Sequence, residues 1–227
     1  SQNSSVLWTH NGTGSISGAT TLTPTYTPGS SETGNVTLTL TAIGNSPCGN
    51  AASTVVLTVN PPATANAGIA STICETSTFT VSDALATNAA SLAWTRSGTG
   101  TFNDPTIQNP VYTPSAADVA AGTVTLTITA TGLTASANAS NATILSISRQ
   151  VVADAGPDGI VCQTGTFPVS GSTSQYQGSL LWNHDGAGSI ADPTLLHPVY
   201  TPDINETGVV TLILTANPIS PCAVVND

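Results

Sequence analysis

One internal repetition constrains this chain more than any other feature. The stretch from Trp94 to Gly132, WTRSGTGTFNDPTIQNPVYTPSAADVAAGTVTLTITATG, has the same skeleton as Trp8 to Gly44 and the run from Trp182 into Pro218. In each copy Trp is followed four and six residues later by Gly: Gly12 and Gly14, Gly98 and Gly100, Gly186 and Gly188. Tyr-Thr-Pro comes eighteen residues after the Trp, and the copies lie 86 and then 88 residues apart. A period of that length, one copy per domain-sized unit, is the mark of a tandem array.

The array reading divides 227 residues into units of about 86, each long enough for a small core. We place the units at 1–60, 61–149 and 150–227, the first lacking its opening strands and the third its last strand. Charged residues are 6%, with no Lys, two Arg and a net charge of −10, which disfavours nucleic acid and anionic membranes as partners. Such low charge could signal disorder, but 39% hydrophobic residues in regular alternation predict folded strands. No run approaches the ~18 apolar residues needed to cross a bilayer. The absence of Met and of a signal-peptide pattern reads as an internal segment of a longer chain.

Asn35-Val-Thr-Leu-Thr-Leu-Thr-Ala42 alternates strictly, as does a strand half buried against a second layer. A partner at Ser53–Val59 completes a hairpin, and Asn60-Pro-Pro62 makes a short, stiff exit. In the middle unit the pattern predicts strands at Asn66–Ile73, Ser77–Ala84, Ser91–Arg96, near Thr101, Ile107–Tyr112, Thr123–Thr131 and Asn141–Ser148. Seven short strands with frequent turn signals give the fold class: all-β, tandem immunoglobulin-like antiparallel sandwiches arranged end to end. Trp8, Trp94, Trp182, Tyr26, Tyr112 and Tyr200 are the expected core. Between Thr113 and Gly122 the residues predict one helical turn, with Thr113 as N-cap and Pro114 at the first position. The crossover is two residues shorter in the outer units.

Four segments carry a resemblance: Ala-Asn-Ala-Gly (65–68) or Ala-Asp-Ala-Gly-Pro-Asp (153–158), Thr-Ile-Cys-Glu (72–75), Ser-Gly-Thr-Gly-Thr-Phe-Asn-Asp-Pro-Thr (97–106) and Val-Tyr-Thr-Pro-Ser-Ala-Ala-Asp (111–118). Together they resemble the PKD-like, immunoglobulin-like repeats of very large Bacteroidota surface proteins, including SprB-type gliding-motility adhesins secreted by the type IX route. The resemblance implies an extracellular stalk on a bacterial cell surface and no catalytic residues. The repeat at 61–149 departs from a scheme of one disulfide per domain, because it has only one cysteine.

Cys74 and Cys162 occupy one repeat position, and Cys48 and Cys222 another. In an exported chain, without a Cys-x-x-Cys pair or a nearby His, such cysteines predict disulfides over metal ligation. A bridge within the third unit would join Cys162 to Cys222. In a sandwich, however, the two positions fall at opposite ends, beyond the ~7 Å Cα limit. End-to-end stacking predicts instead a Cys74–Cys222 bridge between units, leaving Cys48 and Cys162 for other repeats. Both pairings stay open at this point.

The other candidates have simple structural readings. His10 and His184 share a turn position with Arg96, which predicts an exposed polar site. His184-Asp185 lacks the strained nucleophile turn and oxyanion loop of a hydrolase. Gly98 and Gly100 open no helix and read as a tight turn instead of a phosphate loop. Asp154, Asp158, Asp203 and Glu206 are weak Ca²⁺ candidates near the unit junction and crossover. No other cofactor is expected, nor any enzyme activity. Two functions are in play: a structural spacer of a surface adhesin, in gliding or attachment, and a carbohydrate-binding module. The partners expected are neighbouring repeats of the same chain and a surface polysaccharide.

Overall fold

The computed structural model describes residues 3–227. In the first repeat β1 (Asn3–His10), β4 (Gly34–Gly44) and β5 (Ala51–Val59) form one antiparallel sheet in the order β1-β4-β5. Between β1 and β4, β2 (Ser15–Ser17) and β3 (Thr25–Thr27) pair in a second, two-stranded layer. Strand β4 is the alternating segment of the sequence, and Val36 is its buried residue.

The middle repeat opens with a divided strand. β6 (Thr64–Asn66) and β7 (Ser71–Cys74) lie where one strand was expected over Asn66–Ile73. The break is at Gly68, whose φ of +84° is a conformation that favours glycine. Asn66 Oδ1 accepts from the Gly68 amide at 2.9 Å and Asp83 Oδ2 from Ile69 at 3.0 Å, so the chain turns from one sheet to another. There follow β8 (Phe79–Thr80), β9 (Leu85–Thr87), β10 (Ala89–Arg96), β11 (Thr101–Phe102) and β12 (Val111–Thr113). Helix α1 (Ala116–Ala121), β13 (Thr123–Gly132) and β14 (Ala139–Ser148) complete the repeat. The sheets are β10-β13-β14-β7, β11-β12-β8 and β6-β9. Along β13 Val124, Leu126, Ile128 and Ala130 are buried while the threonines between them are not, the alternation of a strand with one face on a core.

Three expectations change here. The sandwich is not wholly antiparallel, because β7 runs parallel to β14, Leu145 opposite Ser71 and Ser148 opposite Cys74. The helix N-cap is Ser115, not Thr113, and Pro114 precedes the helix. Ser115 Oγ accepts from the Asp118 amide at 3.2 Å and Asp118 reaches back to the Ser115 amide at 3.0 Å, a reciprocal capping box. The outer repeats have non-helical turns at this crossover. The segments 77–84 and 107–112 contribute less strand than expected, since Ile107 and its neighbours serve as loop around Trp94.

In the third repeat β15 (Val152–Asp154) pairs with β17 (Thr173–Gln175). Strand β16 (Phe167–Pro168) joins β20 (Val199–Thr201) and β19 (Ser189–Ala191). β18 (Gln177–His184), β21 (Leu212–Pro218) and β22 (Val225–Asn226) form the other sheet. The last strand, expected to be missing, is thus represented by the two residues of β22, paired to Thr215 and Ala216. Val169, Trp182 and Leu214 form a core against which Phe167, Leu180, Ile190 and Leu212 pack.

The described chain gathers into two compact units. One holds the residues up to Ala65 with Ala86–Leu92 and Thr129–Ser140; the other holds Asn66–Leu85, Ala93–Ile128 and Asn141–Asp227.

Candidate functional site

The repeated motif is a clamp built on Trp. In each repeat its backbone amide donates to a loop carbonyl: Trp8 to Ala19 at 2.7 Å, Trp94 to Pro105 at 2.7 Å, Trp182 to Pro193 at 2.8 Å. The indole Nε1 donates to a carbonyl two residues further on, Thr21, Ile107 or Leu195, at 3.1 Å each time. A side chain that is apolar except for one N–H is thereby satisfied at both ends.

The Tyr eighteen residues on anchors a second node. Tyr112 Oη donates to Asp118 Oδ2 at 2.7 Å, and that carboxylate also accepts from the amides of Thr99 at 2.9 Å and Gly100 at 2.8 Å. The outer repeats use Glu at the equivalent place. Tyr26 and Tyr200 each donate at 2.6 Å, to Glu32 and Glu206, which also take the amides of Thr13 and Ala187. The two glycines follow from this node. A Cβ on Gly98 would collide with Asp118 Oδ1, and one on Gly100 with the Tyr112 hydroxyl and the Thr113 carbonyl. The Gly-x-Gly turn therefore receives a carboxylate of the protein's own crossover, a role no single motif in the sequence announced.

Burial raises the pKa of Asp118, but hydrogen bonds from the Ser115 backbone, Tyr112, Thr99 and Gly100 outweigh it and hold the group at about 2. Burial and the facing carboxylate push Tyr112 up. Glu32 and Glu206 are also lowered, chiefly by the tyrosine hydroxyls.

Trp94, Trp182, Tyr112 and Tyr200 are buried, but Trp8 and Tyr26 are only partly buried. The cause is local. In the middle repeat β8 lies beside β12, Phe79 opposite Tyr112, and β16 does the same for Tyr200; among the described residues β3 has only β2. His10 and His184, expected to be exposed, pack edge-on against Tyr26 and Tyr200 at 5.0 and 5.2 Å between ring centroids. The middle repeat has Arg96 at that position and packs Phe102 on Tyr112 at 5.1 Å instead. Asp185 serves as a loop anchor, taking the Thr211 amide at 2.7 Å, as Asn11 and Ser97 take those of Thr37 and Thr125.

The Ca²⁺ candidates are dispersed into separate duties. Asp154 holds the Gly156 amide at 2.8 Å, Asp203 the Asn205 amide at 2.9 Å, and Glu206 belongs to the tyrosine node. Asp158 and Glu206 both border a groove of about 770 Å³ floored by Phe167, Val169, Trp182 and Leu212. Among the described residues no three His, Cys, Asp or Glu side chains are grouped as for a metal ion. The buried Ser172 lies 3.0 Å from His197 Nδ1, but its hydroxyl donates to the Leu196 carbonyl at 2.6 Å and is not poised as a nucleophile.

The strongest functional geometry is the junction of the second and third repeats. Cys74, at the end of β7, is bridged to Cys222, in the loop between β21 and β22, with 4.8 Å between Cα atoms; Cys48 and Cys162 are free and exposed. Beside the bridge Gln150 donates Nε2 to the Ala223 carbonyl at 2.7 Å and accepts from the Ala223 amide at 3.4 Å. Its own amide donates to Glu75 Oε1 at 2.9 Å. Arg149 Nη1 donates to Tyr176 Oη at 3.0 Å and lies over that ring. Bridge, carboxamide and cation together tie one repeat to the next. Sequence reasoning found the cysteines but not Gln150 or Arg149, because single polar residues carry no period.

No family pattern matches the chain, and no curated protein does. Solved structures do. The chain is similar to an I-band fragment of titin, with TM-score 0.56 and 12% identity over 97% of this chain and 84% of that one. It is also similar to a structure of the N-terminal eight Ig domains of Down syndrome cell adhesion molecule, with TM-score 0.52 and 10% identity over 98% of this chain and 36% of that one. The fold is therefore all-β and immunoglobulin-like. At these identities the likeness speaks to architecture alone. No helix among the described residues is long and apolar enough to cross a membrane.

Proposed function

We propose that this chain is a load-bearing length of a cell-surface adhesin, whose Ig-like repeats at 1–60, 61–149 and 150–227 set distance and carry force and do no chemistry. The observation that supports this most is the Cys74–Cys222 bridge, which joins consecutive repeats instead of closing one of them. A covalent tie across a junction limits bending and shear where a string of domains would otherwise give way first. It also fits an oxidising, extracellular setting. The motif resemblance supports a bacterial surface as the setting, in attachment or gliding.

Single-molecule pulling tests the reading. Because the bridge closes a sequence separation of 148 residues, an oxidised chain pulled from its ends hides that length. Reduction should add roughly 500 Å of contour at ~3.4 Å per residue. Equal contour with and without reductant would remove the load-bearing role, and saturable binding of a glycan by the chain would favour the carbohydrate-module reading.

A further inference from the structure

We propose that Cys162 and Cys48 are the two halves of a second bridge of the same kind, one that joins this chain head to tail to another copy of itself. The inference rests on the array reading above and adds a partner to it.

The bridge that is present defines a rule: a cysteine at the end of a repeat's first strand pairs with the loop that follows the long alternating strand of the next repeat. Both sides of the rule recur in their turns, although the third repeat forms no strand just ahead of Cys162. On the first side, the Ser77 amide donates to the Cys74 carbonyl at 2.9 Å, and the Gly165 amide to the Cys162 carbonyl at 2.8 Å. Cys162 therefore sits in the same turn as Cys74. On the second side, Cys222 donates its amide to Ile219, Ser136 to Leu133 and Cys48 to Asn45, each three residues back. The middle repeat shows that this loop makes the same contact even without a sulfur. Ser136 Oγ donates to the Asn60 carbonyl at 3.3 Å, and Cys222 Sγ lies 3.4 Å from the equivalent Ser148 carbonyl. The loop is thus a socket for whatever precedes it, with Cys in two copies and Ser in one.

Among the described residues one socket and one plug carry no bridge. Cys48 and Cys162 are exposed, and they are of opposite type. Two copies can satisfy the rule only by a heterologous contact, Cys162 of one to Cys48 of the other, which extends instead of closing on itself. The covalent step balances with an ordinary disulfide oxidant of the glutathione type. Cys162 exchanges with glutathione disulfide, releasing one glutathione thiol; the Cys48 thiolate then attacks the Cys162 sulfur of that mixed disulfide and releases the second. Each copy carries a net charge of −10, so the encounter is faster at physiological ionic strength than at low salt.

The test uses the full chain as the variants C48S and C162S, each bearing one leftover thiol. They are incubated alone and mixed, in a glutathione redox buffer with 0.15 M salt, then followed by non-reducing electrophoresis and peptide mapping. The mixture is expected to give a dimer at least tenfold more abundant than either variant alone, with a crosslinked peptide containing Cys48 and Cys162. No dimer in the mixture, or as much dimer from each variant alone, overturns the proposal. Recovery of the Cys74–Cys222 peptide in the same digests separates the two readings. If it is present and the second crosslink is absent, the array stands without the partner; if it is missing, the array reading falls as well.

Discussion

The first and middle repeats carry the same motif and use it to different depth. Trp94 and Trp8 make the same two hydrogen bonds to the same loop positions, and Tyr112 and Tyr26 both hold a carboxylate six residues on. Yet Trp94 and Tyr112 are 3% and 0% exposed, while their counterparts are only partly buried. The same contrast runs along the last strand. Leu145 and Ile147 of β14 are buried, whereas the equivalent Leu57 of β5 is 39% exposed and the equivalent Val59 is only partly buried. Polar geometry is thus prescribed inside the motif, and burial is supplied by strands outside it, β6 to β8 in the middle repeat.

The comparison can be broken at several points. The largest effect should come from the bridge, which ties the middle repeat to the third and reaches the first not at all. C222S, or C74S, should lower the unfolding free energy of the bridged pair by about 5 kcal/mol on the chain-entropy relation, seen as a shift in denaturant midpoint. An unchanged midpoint would mean that the junction holds without sulfur. Next, W94A should cost about 3–5 kcal/mol as a buried aromatic deletion, and W8A no more than half of that, because Trp8 leaves less of a void. Equal losses would show that the clamp's hydrogen bonds outweigh burial. Third, D118N leaves an amide N–H facing the amide of Thr99 or Gly100, an unsatisfied buried donor worth roughly 2–4 kcal/mol. E32Q in the more open first repeat should cost less.

The same node sets an acid limit. Asp118 is held at about 2 against an ordinary 3.8. A carboxylate whose folded pKa is depressed contributes its full stability above the unfolded value and loses it as pH falls through the folded one. Thermal melts should therefore be flat down to about pH 5 and decline from about pH 4 to pH 2, and D118N should flatten that decline. A decline that D118N leaves untouched would assign the limit to other carboxylates.

What the sequence displayed was whatever repeats. The Trp-Gly-Gly-Tyr spacing announced the tandem array, and the cysteine positions offered the junction as one of two pairings, since both recur at fixed distance. The carboxylate at Asp118 was hidden because it changes identity to Glu32 and Glu206 while keeping its place. The parallel β7–β14 pair was hidden because a left-handed Gly68 interrupts an otherwise continuous strand pattern. His10 and His184 looked exposed because the exchange of packing with Phe102 becomes visible only across two layers.

The smallest effect should appear where the two junctions differ most in chemistry. Asn88 and Tyr176 occupy the same repeat position, with φ of 55° and 62°. Asn88 uses its side chain to donate to the Pro62 carbonyl at 3.2 Å. Tyr176 instead receives Arg149, whose guanidinium carbon lies 5.1 Å from the ring centroid. An exposed cation–π contact contributes about 0.5–1 kcal/mol, and a bulky residue at left-handed φ costs a similar amount, which Asn largely avoids. The two terms oppose each other, so Y176N should leave stability within about 0.5 kcal/mol, while R149A, which removes the contact and keeps the backbone cost, should lose about 0.5–1 kcal/mol. If Y176N instead lost more than R149A, the ring would be holding the junction through packing that the cation does not share. The first junction, with Asn88 and no ring, would then be the weaker of the two.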